Sequence, residues 1–122
     1  SNPMKNLLIL AIIALTITSC ATKKISDLAY QPIENPAREG SNLLNVFTPR
    51  KATTEKRPVV IFIHGGYWDE GNKDIYGFLG RNFAKNGVVT VIANYRLSPN
   101  ASYDGMANDV VAAIRWTQSN ID

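Results

Sequence analysis

The sequence predicts an α/β fold built on a mostly parallel sheet. Two continuous runs, Pro58–Ile63 and Val88–Ala93, are β-branched and apolar without polar alternation, as strands buried on both faces are. A helical stripe follows each run. Short links join the four segments in the order strand, helix, strand, helix, which is the alternation of a parallel sheet covered by helices.

Taken in order, Ser1-Asn2-Pro3 precede Met4 and read as a scar or an upstream reading remnant. Lys5 then leads an apolar run of 11 residues, Leu7 to Ile17, and small polar residues follow up to Cys20. A positive start, an apolar centre and a small residue before a break describe a secretory signal over residues 1–19. The run is shorter than the roughly 20 residues of a membrane span. Ile17-Thr18-Ser19-Cys20 resembles a bacterial lipobox, with cleavage before Cys20 and acyl chains on its sulfur. The expected address is therefore an exported lipoprotein held at a membrane on the periplasmic or outer-membrane side. Two or three chains on one residue anchor stably where one is marginal.

Residues 20–40 read as the lipidated cysteine and a tether, polar and interrupted by Pro32 and Pro36. The globular part is expected over residues 41–122. Leu43–Phe47 is a short strand stopped by Pro49, and Arg50–Arg57 is an exposed turn. Ile75 to Lys85 is a helix with Ile75, Phe78, Leu79 and Phe83 on its apolar side, stopped by Asn86-Gly87. Tyr103 to Gln118 is a second helix with the stripe Met106, Val110, Ala113, Ile114 and Thr117. The next element of such a pattern would be another central strand. Without it, the flank of Val88–Ala93 is expected to be an open sheet edge.

Composition removes several functions. Thirteen Lys and Arg against ten Asp and Glu give a formal net charge of +3. That excess, with no basic block along the chain, points to no nucleic-acid partner. One cysteine excludes an intrachain disulfide and a cysteine metal cage. One histidine excludes any site needing two His ligands or two essential imidazoles. No metal or organic cofactor is implied.

The chemistry-bearing motif is His64-Gly65-Gly66-Tyr67-Trp68, directly after the first buried run. Two glycines let the backbone turn sharply and approach a ligand closely. Amides released from the sheet at that turn can converge on one point, which a developing oxyanion requires. Asp69, Glu70, Asp74, Asp104 and Asp109 read as caps, solvated charges or loop anchors, and Arg96 as a structural tie through charge-assisted hydrogen bonds.

From Pro58 to Asp122 the chain resembles the N-terminal half of an α/β-hydrolase of the esterase/lipase type. The resemblance rests on the strand leading into His-Gly-Gly and an aromatic pair. It rests also on Asn94-Tyr95-Arg96-Leu97 before Pro99, and on the helix ending Ala113-Ile114-Arg115-Trp116. His-Gly-Gly-x-Trp is similar to the form in arylformamidases and small carboxylesterases, including feruloyl-esterase-like bacterial enzymes. The resemblance implies that the main-chain N–H groups of Gly66 and Tyr67 form an oxyanion hole. It also implies that His64 and Gly65 shape the loop and that Trp68 contacts substrate. His64 is not the catalytic base by this resemblance, because family triads place their His near the C-terminus.

The nucleophile elbow Gly-x-Ser-x-Gly does not occur among these 122 residues. The expected product is thus the front of a serine esterase, truncated before its elbow and inactive alone, whose completed form hydrolyses a small carboxylic ester. The alternatives are a fragment of an arylformamidase-like amidohydrolase and a non-catalytic truncated lipoprotein.

Overall fold

The structure, a computed structural model, describes residues 21–33 and 39–121. The expected signal over residues 1–19 and Cys20 lie outside the described residues. The elements are β1 (Thr22–Ala29), β2 (Leu43–Pro49), β3 (Val59–Ile63), a 3-10 turn (Lys73–Tyr76), α1 (Gly77–Lys85), β4 (Val89–Ala93) and α2 (Tyr103–Asn120). The sheet order is β1-β2-β4-β3.

The expected parallel unit is the β3–β4 pair, in register from Val59↔Val89 to Ile63↔Ala93. The helix α1 makes the crossover between them. β2 and β1 extend the sheet as an antiparallel ribbon, so parallel pairing is confined to β3 and β4 among the described residues. Residues 22–29, read from sequence as tether, are thus a strand. Thr22–Ala29 is a mostly exposed, polar edge strand broken by a bulge between Ile25 and Leu28, with Asp27 at φ 58. Neither apolar alternation nor a buried run marks such a segment.

The open edge also differs from expectation. β4 has β2 on one side and β3 on the other, and all five of its residues are buried. Among the described residues β3, like β1 at the far edge, pairs on one side only. The buried strand at the centre is therefore the later of the two apolar runs.

The sheet separates two cores. Leu44, Val46, Val91 and Ala93 face α2 and pack with Tyr30 and Ala113. Phe47 and Ile92 face α1 and pack with Ala84. The buried face of α1 is Gly77, Gly80 and Ala84, whereas Ile75 and Phe78, expected on the apolar side, are exposed. The physical reason is distance: a Cβ at Gly80 would enter the Phe47 ring. Small residues bring the helix axis down onto that ring, and larger neighbours are turned outward. On α2, Met106, Ala113 and Thr117 are buried as the stripe predicts, but Ile114 is exposed and Asp109 takes a buried place.

Candidate active site

β3 delivers its chain to the site and stops. Beyond Ile63 the strand has no further ladder partner, and the His64 carbonyl instead accepts a hydrogen bond from the Tyr95 hydroxyl at 2.7 Å. His64 itself is buried. Its ring stacks on Tyr95 with centroids 4.7 Å apart, and its Nδ1 lies 2.9 Å from the Gly65 carbonyl. Tyr76 flanks the imidazole on a nearly parallel plane at 6.1 Å. Burial, followed by the neighbouring Tyr76, raises the Tyr95 pKa, so its hydroxyl remains a donor.

The loop then folds back on itself. The N–H groups of Asp69 and Glu70 both donate to the Gly66 carbonyl, at 3.2 and 3.0 Å. Gly66 has φ 132, and a Cβ there would collide with the Glu70 carbonyl. No other residue type satisfies both conditions. Tyr67 and Trp68 follow at φ 55 and 69, two consecutive left-handed residues that both carry side chains. Each costs roughly 1–2 kcal/mol relative to right-handed backbone, and strain of this kind gathers at functional loops. The Ser98 N–H donates to the Trp68 carbonyl at 2.8 Å and ties the loop to the segment after β4. Among the described residues, the N–H groups of Gly66 and Tyr67 donate to no protein acceptor.

The side chains of this motif separate sharply. Tyr67 is 95% exposed. Trp68 is half-exposed and meets Tyr95 and Tyr103 edge-to-face at 6.2 and 6.1 Å. Gly65 has open space around it. Gly71, at φ 108, closes the loop, and a Cβ there would run into the His64 ring. Tyr95 and Gly71 were not among the residues singled out from sequence, although Tyr95 lies within the Asn94–Leu97 segment quoted there.

Two polar networks hold the loop to the sheet. In the first, Lys73 is buried and its Nζ donates to Asp27 at 2.7 Å and Asp74 at 3.0 Å. Asn45, buried on β2, donates to Asp74 and accepts from the Asp27 N–H. The hydrogen bond from Asn45, then that from Lys73, lowers the Asp74 pKa. Asn94 accepts from the Lys73 N–H and donates to the Gly40 carbonyl. In the second network Arg96 and Asp109 pair, with Gln31 as a further donor to Asp109 at 2.8 Å. A cavity of about 250 Å³ lies between them, lined in part by Gly40, Gly71, Asn94, Tyr95 and Arg96. Among the described residues no cluster of His, Cys, Asp and Glu could hold a metal ion.

A strand ending in a strained Gly-Gly-aromatic turn with two free amides is the geometry on which the family comparison bears. The BD-FAE family model matches residues 44–122. The chain belongs to the BD-FAE family. Its relatives include esterase LipC of Mycobacterium tuberculosis, 34% identical over 84 residues, a match covering 67% of this chain and 21% of that protein. Kynurenine formamidase of Salmo salar is 32% identical over 90 residues, covering 73% of this chain and 30% of the relative. The chain thus spans between about a fifth and a third of these relatives. Among solved structures, esterase B of Lactobacillus rhamnosis superposes with a TM-score of 0.73 at 23% identity, over 96% of this chain and 38% of that one. A truncated carbohydrate esterase from gut microbiota gives 0.65 at 26% identity, over 80% and 33%. This family member is an esterase-type α/β-hydrolase in fold and descent, and the described strands are the N-terminal part of that sheet.

Proposed function

We propose that this chain supplies the oxyanion-binding half of a lipid-anchored serine carboxylesterase. The observation that carries the reading is the pair of consecutive amides, Gly66 and Tyr67, left without acceptors at the end of β3. A tetrahedral intermediate of acyl transfer places negative charge on one oxygen. Two fixed N–H groups stabilise that charge without reorganising as it forms. Trp68, beside them and half-exposed, contacts the substrate. The nucleophile, base and acid of a Ser–Asp/Glu–His triad follow this segment in the family's chain order. Since the 122 residues contain no nucleophile elbow, this segment alone does not hydrolyse an ester by the triad mechanism.

In the complete enzyme, Gly66→Ala lowers kcat on an aryl ester by on the order of 10²-fold, the cost of one misplaced oxyanion donor. An unchanged kcat sinks the assignment. A second reading, hydrolysis of an N-formyl arylamine, is favoured by the relation to kynurenine formamidase and by Trp68 in the motif. Assaying both an aryl acetate and N-formylkynurenine decides between ester and formamide.

The anchor is part of the proposal and rests on Ile17-Thr18-Ser19-Cys20. Labelled palmitate enters the expressed chain and does not enter Cys20→Ala. Equal labelling of the two removes the anchor.

A further inference from the structure

Three basic dipeptides lie far apart in the sequence, Lys23-Lys24, Arg50-Lys51 and Lys56-Arg57. The fold gathers them at one end of the sheet. Antiparallel pairing sets Thr22 opposite Pro49 and Lys23 opposite Thr48, and the Arg50 N–H closes the pair on the Ala21 carbonyl at 3.1 Å. Arg57 folds back and donates to the Lys51 carbonyl at 2.7 Å, which holds the turn between β2 and β3 against the same end. All but Arg57 are exposed, and Glu55 is the one carboxylate among residues 50–57. The amide loop stands at the other end of β3, about 17 Å away for a strand of this length. Around that loop the charge is reversed, with Glu39, Asp69, Glu70 and Asp104 exposed. A modest net charge therefore conceals a strongly polarised molecule.

We infer that the basic end, built from Lys23, Lys24, Arg50, Lys51, Lys56 and Arg57, seats on an anionic lipid surface and turns the amide loop away from it. The partner is fixed by two observations. The patch sets six cations, on exposed strand ends and a turn, against the single carboxylate of residues 50–57, Glu55, which complements a surface of spread negative charge. Its Arg50 N–H also holds the carbonyl of Ala21, the residue next to Cys20, so the point at which the chain would enter a bilayer lies beside these cations. Orientation at a membrane rests on the anchor proposed above, but attraction of the patch to anionic lipid does not. Lysine and arginine side chains near such a surface each strengthen binding, and the attraction fades beyond a Debye length of about 10 Å. The loop lies outside that range and its carboxylates are repelled. The active site of the complete enzyme thereby faces solvent and dissolved substrate.

The test uses the 122-residue chain with vesicles of phosphatidylcholine alone and with phosphatidylglycerol added at about a third. Any apolar N-terminal segment contributes equally to both, so the ratio of the two partition coefficients reads the charge contribution. The chain is expected to prefer the anionic vesicles by tenfold or more, and 0.5 M salt is expected to abolish the preference. Lys51→Gln with Lys56→Gln, both exposed, lowers the ratio severalfold. Adding Glu39→Gln and Asp104→Asn to that variant restores its net charge at the opposite end and leaves the ratio low. Equal binding to both vesicles overturns the inference. So does recovery of the ratio in the charge-restored variant, since net charge alone would then carry it. Palmitate labelling of Cys20 separates failure of the anchor from failure of the patch.

Discussion

Arg96 grips Asp109 from two directions: Nε meets Oδ2 and Nη2 meets Oδ1, both at 2.8 Å, while the Arg96 N–H donates to Oδ2 at 2.9 Å. Asp109 is 1% exposed and lies on α2, whereas Arg96 lies on the segment that leaves β4. The pair therefore fixes where α2 starts relative to the site. Burial by itself pushes the Asp109 pKa up, but the hydrogen bonds from Arg96 and Gln31 and the guanidinium charge outweigh it, and the net shift is down.

That direction sets a pH dependence. A carboxyl whose folded pKa is depressed stabilises fully above its unfolded value, about 3.9, and the contribution is lost as pH falls through the folded pKa. Unfolding by urea should therefore show stability falling below about pH 4. The decline should flatten in Asp109→Asn and persist in part through Asp74, which is depressed in the same sense. At neutral pH, Asp109→Ala should cost about 3 kcal/mol, since it leaves a half-buried guanidinium without its main partner. An equal acid slope in Asp109→Asn and the parent would contradict the account.

Gly71 is the steric stop behind His64. With φ 108 and the imidazole where a Cβ would stand, Gly71→Ala should displace the ring. The expected signature in amide NMR spectra is a set of large shifts confined to residues 64–71, with the β2 and β4 resonances unmoved. Shifts spread evenly through the sheet would show that the loop and the strands are one unit.

Gly80 tests the helix packing. Adding a methyl against the Phe47 ring should cost about 1–3 kcal/mol, as overpacking does. Pairing Gly80→Ala with Phe47→Leu should recover part of the loss, so the double variant should be more stable than the sum of the single effects predicts. Strict additivity in thermal unfolding would mean that the helix simply moves away.

Tyr95→Phe removes the hydroxyl that caps the His64 carbonyl at 2.7 Å. Its expected cost is about 1 kcal/mol in stability. A larger effect is expected on the exchange rates of the loop amides, which should rise while those of β4 hold. Unchanged exchange would place the loop's rigidity elsewhere, in the Ser98 tie to Trp68.

The apolar runs of β3 and β4 and the turn after β3 were legible from continuous hydrophobicity and the abrupt Gly-Gly, although full burial holds for β4 alone and β3 is half-buried at the edge of the described sheet. β1 was not, since Lys23, Lys24 and Ser26 look outward from an edge and read as linker. The buried face of α1 escaped the apolar template because it is made of Gly77, Gly80 and Ala84, where closeness to Phe47 matters more than hydrophobicity. Lys73 gives no sequence signal of burial; its place depends on Asp27 and Asn45, which reach it from strands distant in the chain. Trp68 and the glycines of the loop were found by pattern. The left-handed turn at Tyr67 and Trp68 was not, because neither residue type announces a positive φ.

Those two left-handed residues carry a thermal consequence. Their backbone cost is met once, when the chain folds, out of the few kcal/mol by which any domain exceeds its unfolded state. The segment is thus the first to relax on warming, since strained, exposed stretches open below the global transition. Hydrogen exchange at the amides of residues 66–71 should therefore accelerate several degrees below the melting of the sheet. The opening should be reversible, a loss of alignment in one loop and not denaturation.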